Sequence, residues 1–310
     1  MTAKLTMTAS DWLLLIILSI FWGGSFFFAE IAVREIPPLT LALGRCMIAA
    51  AVLLVYARAM GLALPAGRAV WHSLLVLAIF NTVLPFSLIF WGQTHITGGL
   101  AAILNATAPL FSIMLAHFAT VDDKLSGRRV VGIAIGFLGV VIVIGIDALR
   151  DLGIQVLAQL AIVLAAFFYA VSGVYGRRFK SYPPTVIAAS ILLLGSAMLL
   201  PLAGYAERPW ALSMPSLAAI ACMVGLAVVS TALAFMIYFR VLARAGAVNF
   251  QLVAYLIPVS AILLGVGFLG ETLEWRQLIG MLVIAVGLAA IDGRPHQALM
   301  RTLKGAPKEA

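Results

Sequence analysis

Residues 12–34 read WLLLIILSIFWGGSFFFAEIAVR, twenty-three positions in which Glu30 and Arg34 are the only charged side chains. A helix rises about 1.5 Å per residue, so this stretch is long enough to cross the roughly 30 Å of hydrocarbon in a bilayer. As a helix in water it would lack the polar face that such a helix needs. Nine further runs of the same character follow, at 38–60, 70–92, 97–119, 127–146, 155–178, 184–204, 214–240, 247–268 and 275–292. Turn chemistry separates them. Pro37-Pro38 and Pro183-Pro184 open the second and seventh runs, where a missing N–H costs nothing, and Gly61, Gly204 and Gly246 fall near boundaries. The connectors leave no room for a soluble domain. The first run is too long for a signal peptide and has only Lys4 before it, so it is read as a mature helix.

Composition gives the same answer. Of 310 residues 64% are hydrophobic and 10% charged, against about 25% charged in an average soluble domain. The expected fold is an all-α membrane protein of ten transmembrane helices. The formal charge of +8 is spread over short connectors and the 294–310 tail, without a basic stripe, so nucleic acid is not expected as a partner. Cys46 and Cys222 each lie in an apolar run and suggest neither a disulfide nor a metal site, and no cofactor is expected. Fifteen Lys and Arg residues fall in the tails and the even-numbered connectors, and four (Arg34, Arg150, Arg208 and Arg276) in or beside the odd-numbered ones. Cytoplasmic loops keep the excess of positive charge, which puts both termini in the cytoplasm; a multi-pass protein of the bacterial cytoplasmic (inner) membrane is the expected localisation.

An internal repeat relates the halves. Pro37-Pro38 corresponds to Pro183-Pro184, Pro109 to Pro258, and Gly132 and Gly139 to Gly280 and Gly287, at offsets of 146, 149 and 148. The expected organisation is a half at 1–150, a second at 151–293 and a basic tail at 294–310. Five helices per half is an odd number, so the second half would lie inverted, as in carriers that work by alternating access around a midplane site.

Polar groups at membrane depth are read as functional by default. The candidates for substrate binding are Trp22, Ser25, Asn81, Thr82, Phe86, Phe90, Asn105, Thr107, Phe168, Tyr169, Ser172, Thr231, Phe235, Tyr238, Gln251 and Tyr255. Pro85 and Pro109 would free the carbonyls of Asn81 and Asn105 for a substrate ammonium, and aromatic rings would add cation–π attraction. The alternative for any one of them is a hydroxyl bonded to its own helix, or a ring that packs. Pro85, Pro109 and Pro258 are the expected hinges. Glu30 and Arg45 are assigned to a structural ion pair across the first connector, with an outer gate as the alternative. Glu271 and Asp147, at helix ends, are expected to bind backbone or solvent. Glu30 and Arg45 lie in the outer thirds of their helices; no Asp, Glu or His falls at the midplane, and no buried Lys or Arg is set to face a multiply charged anion, which disfavours cationic drugs and such anions and leaves a neutral or zwitterionic solute.

Several of these residues carry a resemblance. Trp22-Gly23-Gly24-Ser25, Leu43-Gly44-Arg45 and the stretch from Leu269 to Gly287, with Gly270-Glu271, Gly280 and Gly287, are similar to motifs of the drug/metabolite transporter superfamily and its ten-helix EamA-type exporters. Two places depart from the pattern: Asp122-Asp123-Lys124 stands where Gly-Glu is expected, and Phe168-Tyr169 where Trp-Gly is expected. The resemblance covers about 12–292 and implies a central cavity and export of amino acids, aromatic or threonine-like, or of related metabolites. Membrane lipid is the expected surrounding, and a monomer or a dimer is open. The rivals are a drug exporter or a lipid flippase of the same fold. An intramembrane enzyme is disfavoured, since Ser25, Ser87 and Ser172 have no His at matching depth.

Overall fold

A computed structural model of the chain describes residues 8–119, 126–145, 153–250 and 252–292. Every regular element in it is helical. The spans are α1 (Ala9–Ala32), α2 (Pro38–Ala59), α3 (Arg68–Gln93), α4 (Gly98–Ala119), α5 (Gly127–Ile144), α6 (Ile154–Phe179), α7 (Pro184–Ala206), α8 (Leu217–Leu242), α9 (Val253–Leu269) and α10 (Trp275–Ile291). The first eight are long and apolar enough to cross a membrane, and α9 and α10 are shorter apolar helices. Large side chains such as Leu13, Val55, Leu138 and Leu263 face outward. In lipid that exposure costs nothing.

The principal neighbours are α1 with α9 and α8, α6 with α4 and α3, α2 with α7, and α5 with α10. Adding or subtracting five helix numbers turns this set into itself, so corresponding helices of the two halves have corresponding neighbours. The α5–α10 seam is built from glycine. A Cβ on Gly132 would stand 2.7 Å from the Gly287 carbonyl oxygen, and one on Gly139 2.8 Å from that of Gly280. The small-residue faces of the two helices therefore meet each other within one chain, backbone against backbone.

Helices α3 and α8 widen into π-helical turns at Ile79–Val83 and Val228–Leu233. These turns contain Asn81-Thr82 and Ser230-Thr231, pairs offset by 149, and such bulges frequently mark functional sites. Helix α4 breaks at Ala106-Thr107, just before Pro109. The boundary expected near Gly246 lies later: beyond its apolar span Leu217–Leu242, α8 continues as helix to Phe250, because the Leu-Ala-Arg-Ala stretch favours helix more strongly than one glycine opposes it.

At the end of the bundle that holds the odd-numbered connectors, helix N-termini are capped by carboxylates from other helices. Glu207 accepts the amides of Leu39 and Thr40 at 2.9 and 2.7 Å, opening α2, and Glu35 accepts the amide and hydroxyl of Ser216, each at 2.6 Å, opening α8. Both contacts tie one half to the other. The Ser216 bonds hold the Glu35 carboxyl below its ordinary value of 4.5, so this clamp is intact at neutral pH and is lost only as pH falls through the lowered value. Replacing Glu207 with Ala orphans two amides of α2 and is expected to cost about 1–2 kcal/mol, read as a lower thermal midpoint in detergent. At the opposite end Asp11 pairs with Arg244 at 3.0 Å.

Candidate functional site

The first correction concerns the expected Glu30–Arg45 pair. Glu30 bonds to Arg34, one turn along α1, at 3.4 Å, and to the Gly98 amide at 2.6 Å. Arg45 points elsewhere. It lies two turns into α2, 7% exposed, and donates from Nε to Thr231 Oγ1 at 2.9 Å. The π turn of α8 orients that acceptor, since Thr231 Oγ1 in turn donates to the carbonyl of Leu226, five residues back. The guanidinium carbon sits 3.9 Å over the Phe86 ring and 5.8 Å from that of Phe90. Tyr169 of α6 is close enough to feel the charge. Residues from α2, α3, α6 and α8, hence from both halves, thus surround one buried cation. Among the described residues no carboxylate pairs with it, and none accepts from its Nη1 or Nη2.

This arrangement overturns the expectation that Glu30 neutralises Arg45. A guanidinium bound through Nε alone presents two Nη groups as a planar fork, the geometry that matches a carboxylate with two parallel bonds. Stacking over Phe86 supports the plane without neutralising it.

The other candidates fall into separate groups. Asn81 donates from Nδ2 to Ser172 Oγ at 2.9 Å, and Ser172 passes the bond to the Tyr169 carbonyl at 2.8 Å, so α3 and α6 are joined beside the Arg45 cluster. Thr82 and Thr107 are buried and bond to carbonyls of their own helices, those of Ala78 and Leu104, which is the structural alternative. Asn105 leaves Oδ1 buried without a donor, as Ser230 does its Oγ. Trp22, Phe235 and Tyr238 form an aromatic group with Phe239 and Phe250 between α1 and α8, with Trp22 and Tyr238 centroids 5.8 Å apart. Phe168 packs on Phe80 and Phe167. Ser25 is half-buried on α1. Tyr255 lines a small apolar cavity of about 20 Å³ with Ile103, Ala106, Pro258 and Met281. Gln251 and Asp147 lie outside the described residues, as do Asp122, Asp123 and Lys124.

Pro85 and Pro109 each stand second in the helical segment after an interruption, the π turn of α3 and the break in α4. Pro258 lies inside α9. Glu271 binds a backbone amide, that of Gly99 on another helix, and is buried. Sequence reasoning missed Arg45 as a free cation, although an ionisable residue alone inside an apolar run is the usual signal.

Comparison with known proteins places the chain. The model of the EamA-like transporter family matches twice, over residues 11–145 and 156–291. Relatives include the uncharacterized inner membrane transporter YedA of Escherichia coli (strain K12), 29% identical over 282 residues that cover 88% of each chain. Another is a protein of the same organism named a probable amino-acid metabolite efflux pump, 26% identical, covering 91% of this chain and 94% of the other. A protein of known crystal structure has the same fold, with a TM-score of 0.66 at 21% identity over 92% of this chain and 98% of the other. The chain is a multi-pass membrane transporter and belongs to the EamA-like transporter family.

Proposed function

We propose that this transporter exports small zwitterionic organic solutes, amino acids or closely related metabolites, by alternating access between two inverted five-helix halves. The single observation that carries the solute class is Arg45, a buried cation between the halves that has Nη donors to spare and, among the described residues, no acid paired with it. A substrate carboxylate would complete its coordination. The orphaned Asn105 Oδ1 and Ser230 Oγ are acceptors for an ammonium, and the rings of Phe86, Phe90 and Tyr169 supply apolar area for a side chain. Export is supported by the name of the efflux-pump relative. Inversion is supported by the doubled family match, by the π turns at equal offset and by the self-mapping helix contacts. The charge distribution between connectors supports cytoplasmic termini, and the name of the relative YedA supports an inner-membrane location.

Counterflow with purified protein in liposomes tests the reading. Unlabelled amino acids are loaded inside and entry of a labelled one is followed. The expected result is entry only when the lumen holds a compatible amino acid, reduced about tenfold or more by Asn105→Ala, the loss of one polar contact to a charged group. Exchange of neutral drugs or transbilayer movement of labelled lipid, with no amino-acid exchange, would replace this reading with the drug or flippase alternative.

A further inference from the structure

Two carboxyl groups that the Arg45 site does not use converge on the first turn of α4. Glu30, in the last turn of α1, accepts the Gly98 amide through Oε2 at 2.6 Å, and Glu271, in the α9–α10 connector, accepts the Gly99 amide through Oε2 at 3.1 Å. Because Gly98 and Gly99 are consecutive, the acids lie side by side. Both need the room that glycine leaves: Cβ atoms there would stand 3.0 Å from Glu30 Oε2 and 2.8 Å from Glu271 Oε2. Each acid is 8% exposed, and Glu271 Oε1 is buried with no donor. Two amides at a helix start favour negative charge. Two adjacent buried carboxylates nevertheless cannot both stay ionised cheaply, and a proton held between them relieves the repulsion.

The surrounding charges do not supply another solution. Arg34 reaches Glu30 Oε1 at 3.4 Å with its own side chain 61% exposed. Arg276, at the start of α10, turns to Glu274 and to the Ile144 carbonyl. His95, in the α3–α4 connector, engages the Trp91 carbonyl and the Thr94 hydroxyl. Helix α9 contributes no Asp, Glu, Lys, Arg or His to this face. Among the described residues no cation forms an ion pair with Glu271.

We propose that Glu30 and Glu271 form a proton-binding site that closes this end of the bundle: one proton is taken up when α1, α4 and the α9–α10 connector come together, and released to the same side when they part. In the closed form burial, then the neighbouring Glu30, raise the Glu271 carboxyl from 4.5 to about 7. In the open form, wetted, it returns towards 4.5. The proton therefore favours closure below about pH 7, and this preference fades as pH rises through that value. Since the charge-poor connectors lie on this side, the sensed pH is that of the non-cytoplasmic compartment. The site does not depend on which solute is carried.

Electron–electron distance measurements in nanodiscs test it without substrate. Spin labels are placed on Thr94→Cys and Ala211→Cys, in connectors of opposite halves, with Cys46 and Cys222 replaced by Ala. Between about pH 5.5 and about pH 8.5 the ratio of short to long distances should fall on the order of thirtyfold, the linkage expected for these two values. Glu271→Gln, which keeps a donor beside Glu30, should hold the short distance at both pH values, and Glu271→Asp should restore the pH response. A wild-type distribution that ignores pH, or a Glu271→Gln protein that keeps the wild-type profile, would overturn the proposal. So would a short distance restored at about pH 8.5 by sodium but not by N-methylglucamine, which would make the site one for a metal cation.

Discussion

Replacing Arg45 with Leu is expected to reduce amino-acid counterflow by two orders of magnitude or more while leaving the protein folded. Among the described residues the side chain makes one hydrogen bond, to Thr231, and stacks on Phe86, so its removal strands no opposite charge there. A buried acid partner would have made the same change strongly destabilising. Losing both arms of a charge-assisted fork to a desolvated carboxylate costs about 3–5 kcal/mol, which sets the size of the transport defect. Arg45→Lys keeps the charge but not the plane, and should recover only part of the rate. The measurement is initial counterflow rate together with the thermal midpoint of each variant. A rate loss that tracks a fall in midpoint would mean that Arg45 holds the fold and does not anchor substrate.

The second large effect is expected at the α5–α10 seam. A Cβ on Gly287 would lie 2.5 Å from the Gly136 amide nitrogen, and one on Gly139 2.7 Å from that of Ile284. These are contacts with backbone, which cannot rotate away. Gly287→Val should therefore force the two helices apart, at a cost of about 3 kcal/mol or more, enough to remove most of the monodisperse protein after detergent extraction. Gly127→Val, where no atom lies within 4 Å of the added carbon, is the matched control and should extract like the parent. Equal yields of the two variants would show that the seam can open, and that its glycines do not set helix distance.

The ten helices were legible in the sequence because lipid imposes a length and composition that chance rarely meets. Pairing of the glycine faces was half legible: Gly132 and Gly139 stood out as the repeat counterparts of Gly280 and Gly287, while their contact with one another came from the structure. The Arg45 site was legible only in its parts. Short connectors suggest neighbours, and Glu30 beside Arg45 was the natural inference from a link read as residues 35–37. In the folded chain Glu30 turns to the N-terminus of α4, and Thr231, 186 positions away, reaches Arg45 instead. The π turns that aim Asn81 and Thr231 have no compositional signature. Their polar residues stood out by depth alone, and about as many, such as Thr82 and Thr107, satisfy their own helices. Arg45 also has no counterpart in the second half, where the offset of 146 leads to Ile191, so the repeat that revealed the architecture gave no hint of the anchor.

The most direct test of the central claim is competition in counterflow by three compounds that share one side chain: phenylalanine, phenylalaninamide and phenethylamine. If Arg45 binds the substrate carboxylate, phenylalanine competes and the other two fail by a factor of about one hundred, and Arg45→Leu abolishes the discrimination. Equal competition by all three in the wild-type protein would contradict the account, since a site that does not read the carboxylate has no use for the free guanidinium.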